Sequence, residues 1–245
     1  MIARAGVPSA VLFDLDDTLY KERQFVDGGF RAVARFLGPL TGVPAGTLAR
    51  RLKVLHQRDG RGRLFDTLLA ESGHPNDTDL VLACVLTYRT YRPRLTAFPD
   101  AVAAIDALRA GGIPIGLVSD GQAAIQRRKL AALSEVSRRL DAVVLTDELG
   151  AAYAKPSPVG FRVACRLLGA DPGRAVYVAN DPRKDFIGAL DAGLGTIRTG
   201  RLPDEGGAMM DRIDSGSDAD VVVSEFSELA DALLDGGSSR YGSGR

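Results

Sequence analysis

Cysteine is scarce in this chain of 245 residues, with only Cys84 and Cys165 present. Each lies in an apolar stretch with helical spacing. That predicts buried free thiols, not a disulfide framework or a thiolate metal site, and it fits a reducing, cytoplasmic setting. Net charge is missing too. The 31 basic and 31 acidic residues cancel, so no global field draws the chain to nucleic acid or to a membrane surface. No apolar stretch approaches the roughly 20 residues needed to cross a bilayer. The opening Met1-Ile2-Ala3-Arg4-Ala5-Gly6 lacks the apolar core of a secretion signal. There is no Gly-x-Ser-x-Gly elbow, no P-loop and no internal repeat. Gly193-Leu194-Gly195 lacks the third glycine of a dinucleotide fingerprint. His56 and His74 stand away from every motif and read as ordinary surface residues.

What is present begins with Val11-Leu12-Phe13-Asp14-Leu15-Asp16-Asp17-Thr18-Leu19. An apolar run, the reading of a buried strand from Ser9 to Phe13, stops abruptly at a cluster of carboxylates. In an open α/β sheet the carboxyl ends of the strands form the ligand-binding edge. Carboxylates so crowded repel one another unless a cation sits among them. The cluster therefore implies a hard metal ion, Mg²⁺ above all.

The chain then changes character. From about Val26 to Arg92 it lacks β-branched runs and repeats apolar residues at helical spacing, as in Phe30, Val33, Ala34 and Leu37. Pro39, Pro44, Gly60, Gly73 and Pro75 punctuate it into about four helices, so residues 21–95 read as a separate small helical domain. After Ala97 strands and helices alternate. Strands are expected at Ile113–Val118, Ala142–Leu145, Ala175–Ala179, Gly195–Arg198 and Val221–Val223. Helices are expected at Pro99–Ala110, Gln122–Leu133, Ser157–Leu168, Phe186–Ala192 and Ser224–Leu234. This alternation predicts an α/β fold, a parallel sheet with helices on both faces, built from residues 1–20 and 96–235. Gly206–Asp218 reads as a loop and 236–245 as a flexible tail.

Four expected strand ends carry polar residues, and all belong to one edge of the sheet. They supply Asp14 and Asp16, then Ser119-Asp120-Gly121 ahead of a helix N-terminus suited to an anion, then Lys155, then Asp181 and Asp185. That inventory suits a phosphoryl group held opposite a carboxylate nucleophile.

The order and spacing of these residues resemble the haloacid dehalogenase superfamily of phosphohydrolases, over nearly the whole chain. The resemblance implies a Rossmann-like core with a helical cap inserted after the first strand. It implies that Asp14 attacks phosphorus and that Asp16 is the general acid and base. Ser119 and Asp120 at the second strand end, together with Lys155, would bind the phosphoryl group, and Lys155 would also neutralise the nucleophile. Asp14, Asp16 through its backbone carbonyl, Asp181 and Asp185 would secure Mg²⁺, with Asp185 either a direct ligand or a support for one. Dehalogenases of this fold lack an acid at the position of Asp16, since halide leaves without a proton. The resemblance thus implies a phosphatase of a small phosphorylated metabolite working through an aspartyl-phosphate. A phosphomutase and a non-catalytic regulatory subunit are the alternatives, and oligomeric state stays open. Asp17 stands where many relatives have glycine, Asn180 where glycine usually precedes the metal aspartate, and Thr18 is read as shaping the loop. In the helical segment basic residues dominate. Most are expected to line a solvated face, with Arg58, Arg61 and Arg63 the first candidates to meet an anionic substrate.

Overall fold

The computed structural model describes residues 6–200 and 219–234, so the loop and tail expected at Gly206–Asp218 and 236–245 lie outside them. The chain divides into two compact units, Met1–Lys21 with Thr96–Arg245, and Glu22–Leu95. The chain opens with strand β1 (Ala10–Phe13). Helices α1 (Arg23–Thr41), α2 (Ala45–Asp59), α3 (Leu64–Glu71) and α4 (Thr78–Thr90) make up the smaller unit. The larger unit continues with α5 (Pro99–Ala110), β2 (Ile115–Ser119), α6 (Ala123–Ala132), the short α7 (Ser134–Ser137), β3 (Ala142–Leu145) and the short α8 (Thr146–Leu149). It closes with α9 (Val159–Leu168), β4 (Ala175–Ala179), α10 (Phe186–Asp191), β5 (Gly195–Thr199), β6 (Val221–Val223) and α11 (Phe226–Leu234).

The six strands pair only in parallel, in the order β3-β2-β1-β4-β5-β6. Successive β1 side chains point to opposite faces of the sheet. Leu12 joins Tyr177, Phe161 of α9 and Phe186 and Ala189 of α10 in one buried cluster. Phe13 stacks on Phe226 of α11, with ring centroids 6.1 Å apart, and α11 packs on α5. Helices therefore cover both faces. The order reverses direction at β1, between β2 and β4, which is where an open sheet leaves a crevice at its carboxyl edge.

Two expected boundaries moved for physical reasons. β2 begins at Ile115, after Pro114, and runs on to include Ser119. Proline has no N–H for a ladder, though the Pro114 carbonyl still accepts from Val11 N–H. Helix α1 continues through Pro39 to Thr41. A proline only two residues from the helix end disturbs little, and Gly42, at φ 69°, closes the helix by donating its N–H to the Gly38 carbonyl.

The smaller unit has its own core of Val26, Phe30, Val33, Leu37, Leu48, Leu52, Leu55 and Leu68. One expectation is corrected here. His56 is buried in this unit, not at the surface, and meets Phe30 edge-on with centroids 5.4 Å apart. It lies one helical turn after Leu52, on the apolar stripe of α2. Cys84 and Cys165 are free and buried as expected. Burial pushes their thiols up to about 12 and about 11, so neither is a ready nucleophile.

At Gly188 in α10, an added Cβ would lie 2.1 Å from the Pro156 carbonyl oxygen. That neighbour is backbone and cannot swing aside. Gly188→Ala is therefore expected to destabilise the fold by about 3 kcal/mol. Urea unfolding should show a lower midpoint with an unchanged m-value.

Candidate active site

The sheet's carboxyl edge gathers the expected residues into two hydrogen-bonded sets. The first surrounds Asp14, which follows β1 directly and is only 2% exposed. Its N–H extends the ladder to the Val178 carbonyl at 3.0 Å. Lys155, whose side chain is fully buried, donates to Asp14 Oδ1 at 2.7 Å and to Asp185 Oδ1 at 2.6 Å. It also donates to the Tyr177 hydroxyl at 3.0 Å. The second Asp185 oxygen accepts the Asp181 backbone N–H at 3.1 Å. One ammonium thus joins two buried carboxylates from the ends of β1 and β4.

The second set surrounds Asp16. Lys129 reaches both of its oxygens, at 2.7 and 2.8 Å. Gln126 Nε2 donates to Asp16 Oδ2 at 2.9 Å and to Ser119 Oγ at 2.8 Å. The Tyr20 hydroxyl donates to Asp16 Oδ1.

Asp181 stands apart from both sets. Arg183 holds it through Nε, the terminal guanidinium nitrogen and the backbone N–H, at 2.8, 2.8 and 3.1 Å. Asp120 ties the loop after β2 to its neighbours, accepting from Thr146 Oγ1 at 2.7 Å and from Lys155 N–H at 3.2 Å. Both Asp120 oxygens are thereby engaged within the chain. The α6 N-terminus is partly engaged, because Ala123 N–H donates to Asp147 at 2.9 Å.

The loops themselves explain the two departures from the family pattern. The backbone after Asp16 turns left-handed at Asp17, with φ 54°. That is a conformation natural to glycine and tolerated by Asp. Asn180 needs no unusual angle. Its side-chain oxygen instead accepts the Thr18 hydroxyl at 3.3 Å, tying the loops after β1 and β4 together.

Sequence reasoning missed Tyr20, Gln126, Lys129 and Tyr177. A faint signal existed for one pair. Gln126 and Lys129 are three apart on a helix, hence on one face, and both are buried.

These contacts set the charges. Burial drives the Asp14 carboxyl up to about 6 from its ordinary 3.8, Asp185 and Asp16 add to this, and Lys155 and Lys184 oppose it. Burial also pushes Asp16 upward, but Lys129 and the hydrogen bonds from Lys129, Tyr20 and Gln126 outweigh it and hold the group low. Asp181 is likewise held low, because Arg183 outweighs burial. Burial works against the Lys155 ammonium, yet Asp14 and Asp185 hold its pKa well above the usual lysine range. The chain's own cations thus sit among the carboxylates, so crowding does not by itself require a metal. Among the described residues no three His, Cys, Asp or Glu side chains converge as a preformed metal cluster. One observation still favours a cation. Asp14 Oδ2 is buried and has no hydrogen-bond partner among the described residues.

A family profile described as "Hydrolase: haloacid dehalogenase-like hydrolase" matches residues 8–193. The chain belongs to that family. It is 35% identical over 198 residues to a glyceraldehyde 3-phosphate phosphatase of Methanopyrus kandleri, covering 78% of this chain and 84% of that protein. Its fold matches a haloacid dehalogenase-type phosphatase from Thermococcus onnurineus with a TM-score of 0.59, at 25% identity, over 93% of this chain and 98% of the other. It also matches an L-2-haloacid dehalogenase with a TM-score of 0.64, at 25% identity, over 93% and 99% of the two chains. In the described residues no helix is long and apolar enough to cross a membrane.

The raised Asp14 pKa has a consequence for stability. Between 3.8 and about 6 the folded chain holds a proton on Asp14 that the unfolded chain has lost. Its contribution to stability therefore falls as pH rises through that window, and above it the fold bears an unfavourable buried charge. In chelator, Asp14→Asn is expected to be more stable than wild type at pH 7.5 by about 1–3 kcal/mol. That advantage should vanish near pH 4, which denaturant unfolding at the two pH values measures.

Proposed function

We propose that the chain is a phosphoric monoester hydrolase acting on a small phosphorylated metabolite, with Asp14 as nucleophile and a divalent cation as cofactor. The observation that carries this reading is Asp14 itself. One of its oxygens is fixed by Lys155, while the other is buried without a partner among the described residues. A carboxylate pinned at one oxygen and free at the other is oriented for in-line attack.

The residues divide the work. Asp14 attacks phosphorus through one carboxylate oxygen, leaving the other for the cation, and gives an aspartyl-phosphate as the leaving oxygen departs. A phosphate ester beside Asp16 would raise its carboxyl by like-charge repulsion, so that Asp16 gives that oxygen a proton and then, as the carboxylate, takes one from the water that opens the aspartyl-phosphate. Asp16 also separates this reading from dehalogenation, where the leaving halide needs no proton. Ser119 Oγ and Lys155 hold the phosphoryl oxygens, and Lys155 offsets the charge of the nucleophile. Asp185 keeps Lys155 in place, which makes it a support in preference to a direct ligand.

Asp14, the Asp16 main-chain carbonyl and Asp181 would hold the cation. They offer hard oxygen donors at neighbouring strand ends, suited to Mg²⁺. When bound, the cation neutralises charge on the transferring phosphoryl group. The helical unit of residues 22–95 is read as the cap that determines which metabolite is accepted. Arg58, Arg61 and Arg63 each pair with a carboxylate of that same unit, Asp59, Glu22 and Asp66, so their first role is a paired surface. The similarity to a glyceraldehyde 3-phosphate phosphatase places three-carbon phosphates at the head of the substrate screen.

Purified protein with Mg²⁺ is expected to release inorganic phosphate from one or a few small phosphate esters, and to stop in EDTA. Asp14→Asn should reduce turnover by at least about 1,000-fold while the far-UV spectrum stays unchanged. Phosphate release that persists in Asp14→Asn would defeat the assignment.

A further inference from the structure

Lys129 is a buried cation whose partner is the acid of the proposed mechanism. Its side chain is 5% exposed, on α6, and it meets Asp16 at both oxygens. A buried ion pair rarely stabilises more than an apolar pair of the same volume. The geometry gives the lysine a different use. Its two contacts fix the plane of the Asp16 carboxylate. Gln126, one turn earlier, ties Asp16 Oδ2 to Ser119 Oγ. Asp16 is thereby tied to the end of β2, while Lys155, in the segment between α8 and α9, holds Asp14 together with Tyr177 of β4. Each of the two acids has a lysine of its own.

We propose that Lys129 and Gln126 are positioning residues that hold the Asp16 carboxylate against the Ser119 hydroxyl, aimed at the leaving oxygen of a bound phosphate ester. This rests on the reading of Asp16 as the proton donor. In the first step, which forms the aspartyl-phosphate, such a group matters in proportion to how badly the leaving group needs a proton. An alkoxide needs it, and a dinitrophenolate does not.

The test compares glyceraldehyde 3-phosphate, or whichever alkyl phosphate the screen returns, with 2,4-dinitrophenyl phosphate. In single-turnover measurements of leaving-group release, Lys129→Met is expected to be slower by about 100-fold on the alkyl ester and by less than about fivefold on the dinitrophenyl ester, with half-saturation within roughly twofold for both, while the later opening of the aspartyl-phosphate slows alike for the two. Lys129→Arg should restore part of the alkyl activity. In an Asp16→Asn background, Lys129→Met should add less than about threefold. If Lys129→Met does not fold, Gln126→Leu carries the same comparison, with a smaller discrimination in the same direction. Equal losses on the two esters, or full additivity with Asp16→Asn, would overturn the proposal. Asp16→Asn alone separates the two levels. If it fails to discriminate between the esters, the assignment of Asp16 as proton donor falls. If it discriminates and neither Lys129→Met nor Gln126→Leu does, only the positioning role falls.

Discussion

A single ammonium group, Lys155 Nζ, lies fully buried between Asp14 and Asp185 and touches the Tyr177 hydroxyl. Burying any of these charges alone would be very unfavourable. Together they form a triad in which each member makes the others tolerable. Asp185 then fixes the backbone of Asp181, and Lys155 N–H engages Asp120. Four loops from different strand ends are locked to one another through this contact. The polar edge has little freedom to rearrange without exposing or stranding a charge, and that is the preorganisation a phosphoryl-transfer site requires.

The same logic governs the remaining acids. Asp16 has Lys129, and Asp181 has Arg183. The edge is close to charge balance before any ligand arrives, which revises the expectation that crowding alone demands a metal ion. What singles out Asp14 is an imbalance at one atom. Its Oδ1 is satisfied and its Oδ2 is not, and the high Asp14 pKa records the same imbalance in another form.

Much of this architecture was legible in the chain. The apolar run ending at Asp14, the regular alternation after Ala97 and the β-branched and aromatic residues at Val143–Val144 and Val176–Val178 announce parallel strands, since strands covered on both faces read as apolar runs. The six expected strands are all present. The contacts of Gln126 and Lys129 were not legible. A lysine in a helix normally reads as solvent-facing, and only its meeting with Asp16, far away in the chain, shows that it points inward. His56 misled for the converse reason, since an ionisable ring on an apolar stripe can be core. Asp17 was visible as a departure from glycine, but its left-handed backbone, and the substitution of a Thr18–Asn180 bond for a simple turn, depend on two loops meeting across 162 residues.

One small feature of the larger unit bears on how such a chain can diversify. Tyr20 bridges to Ala97, and Phe98 N–H donates to the Leu19 carbonyl at 2.9 Å. The segment between them therefore leaves and rejoins the sheet domain at a single clasp. A clasped insertion imposes no fixed span on the strands it interrupts, and closing the clasp costs little more for a long insert than for a short one. The catalytic edge and the inserted helices can accordingly accept substitutions, and even changes of length, as nearly separate inheritances.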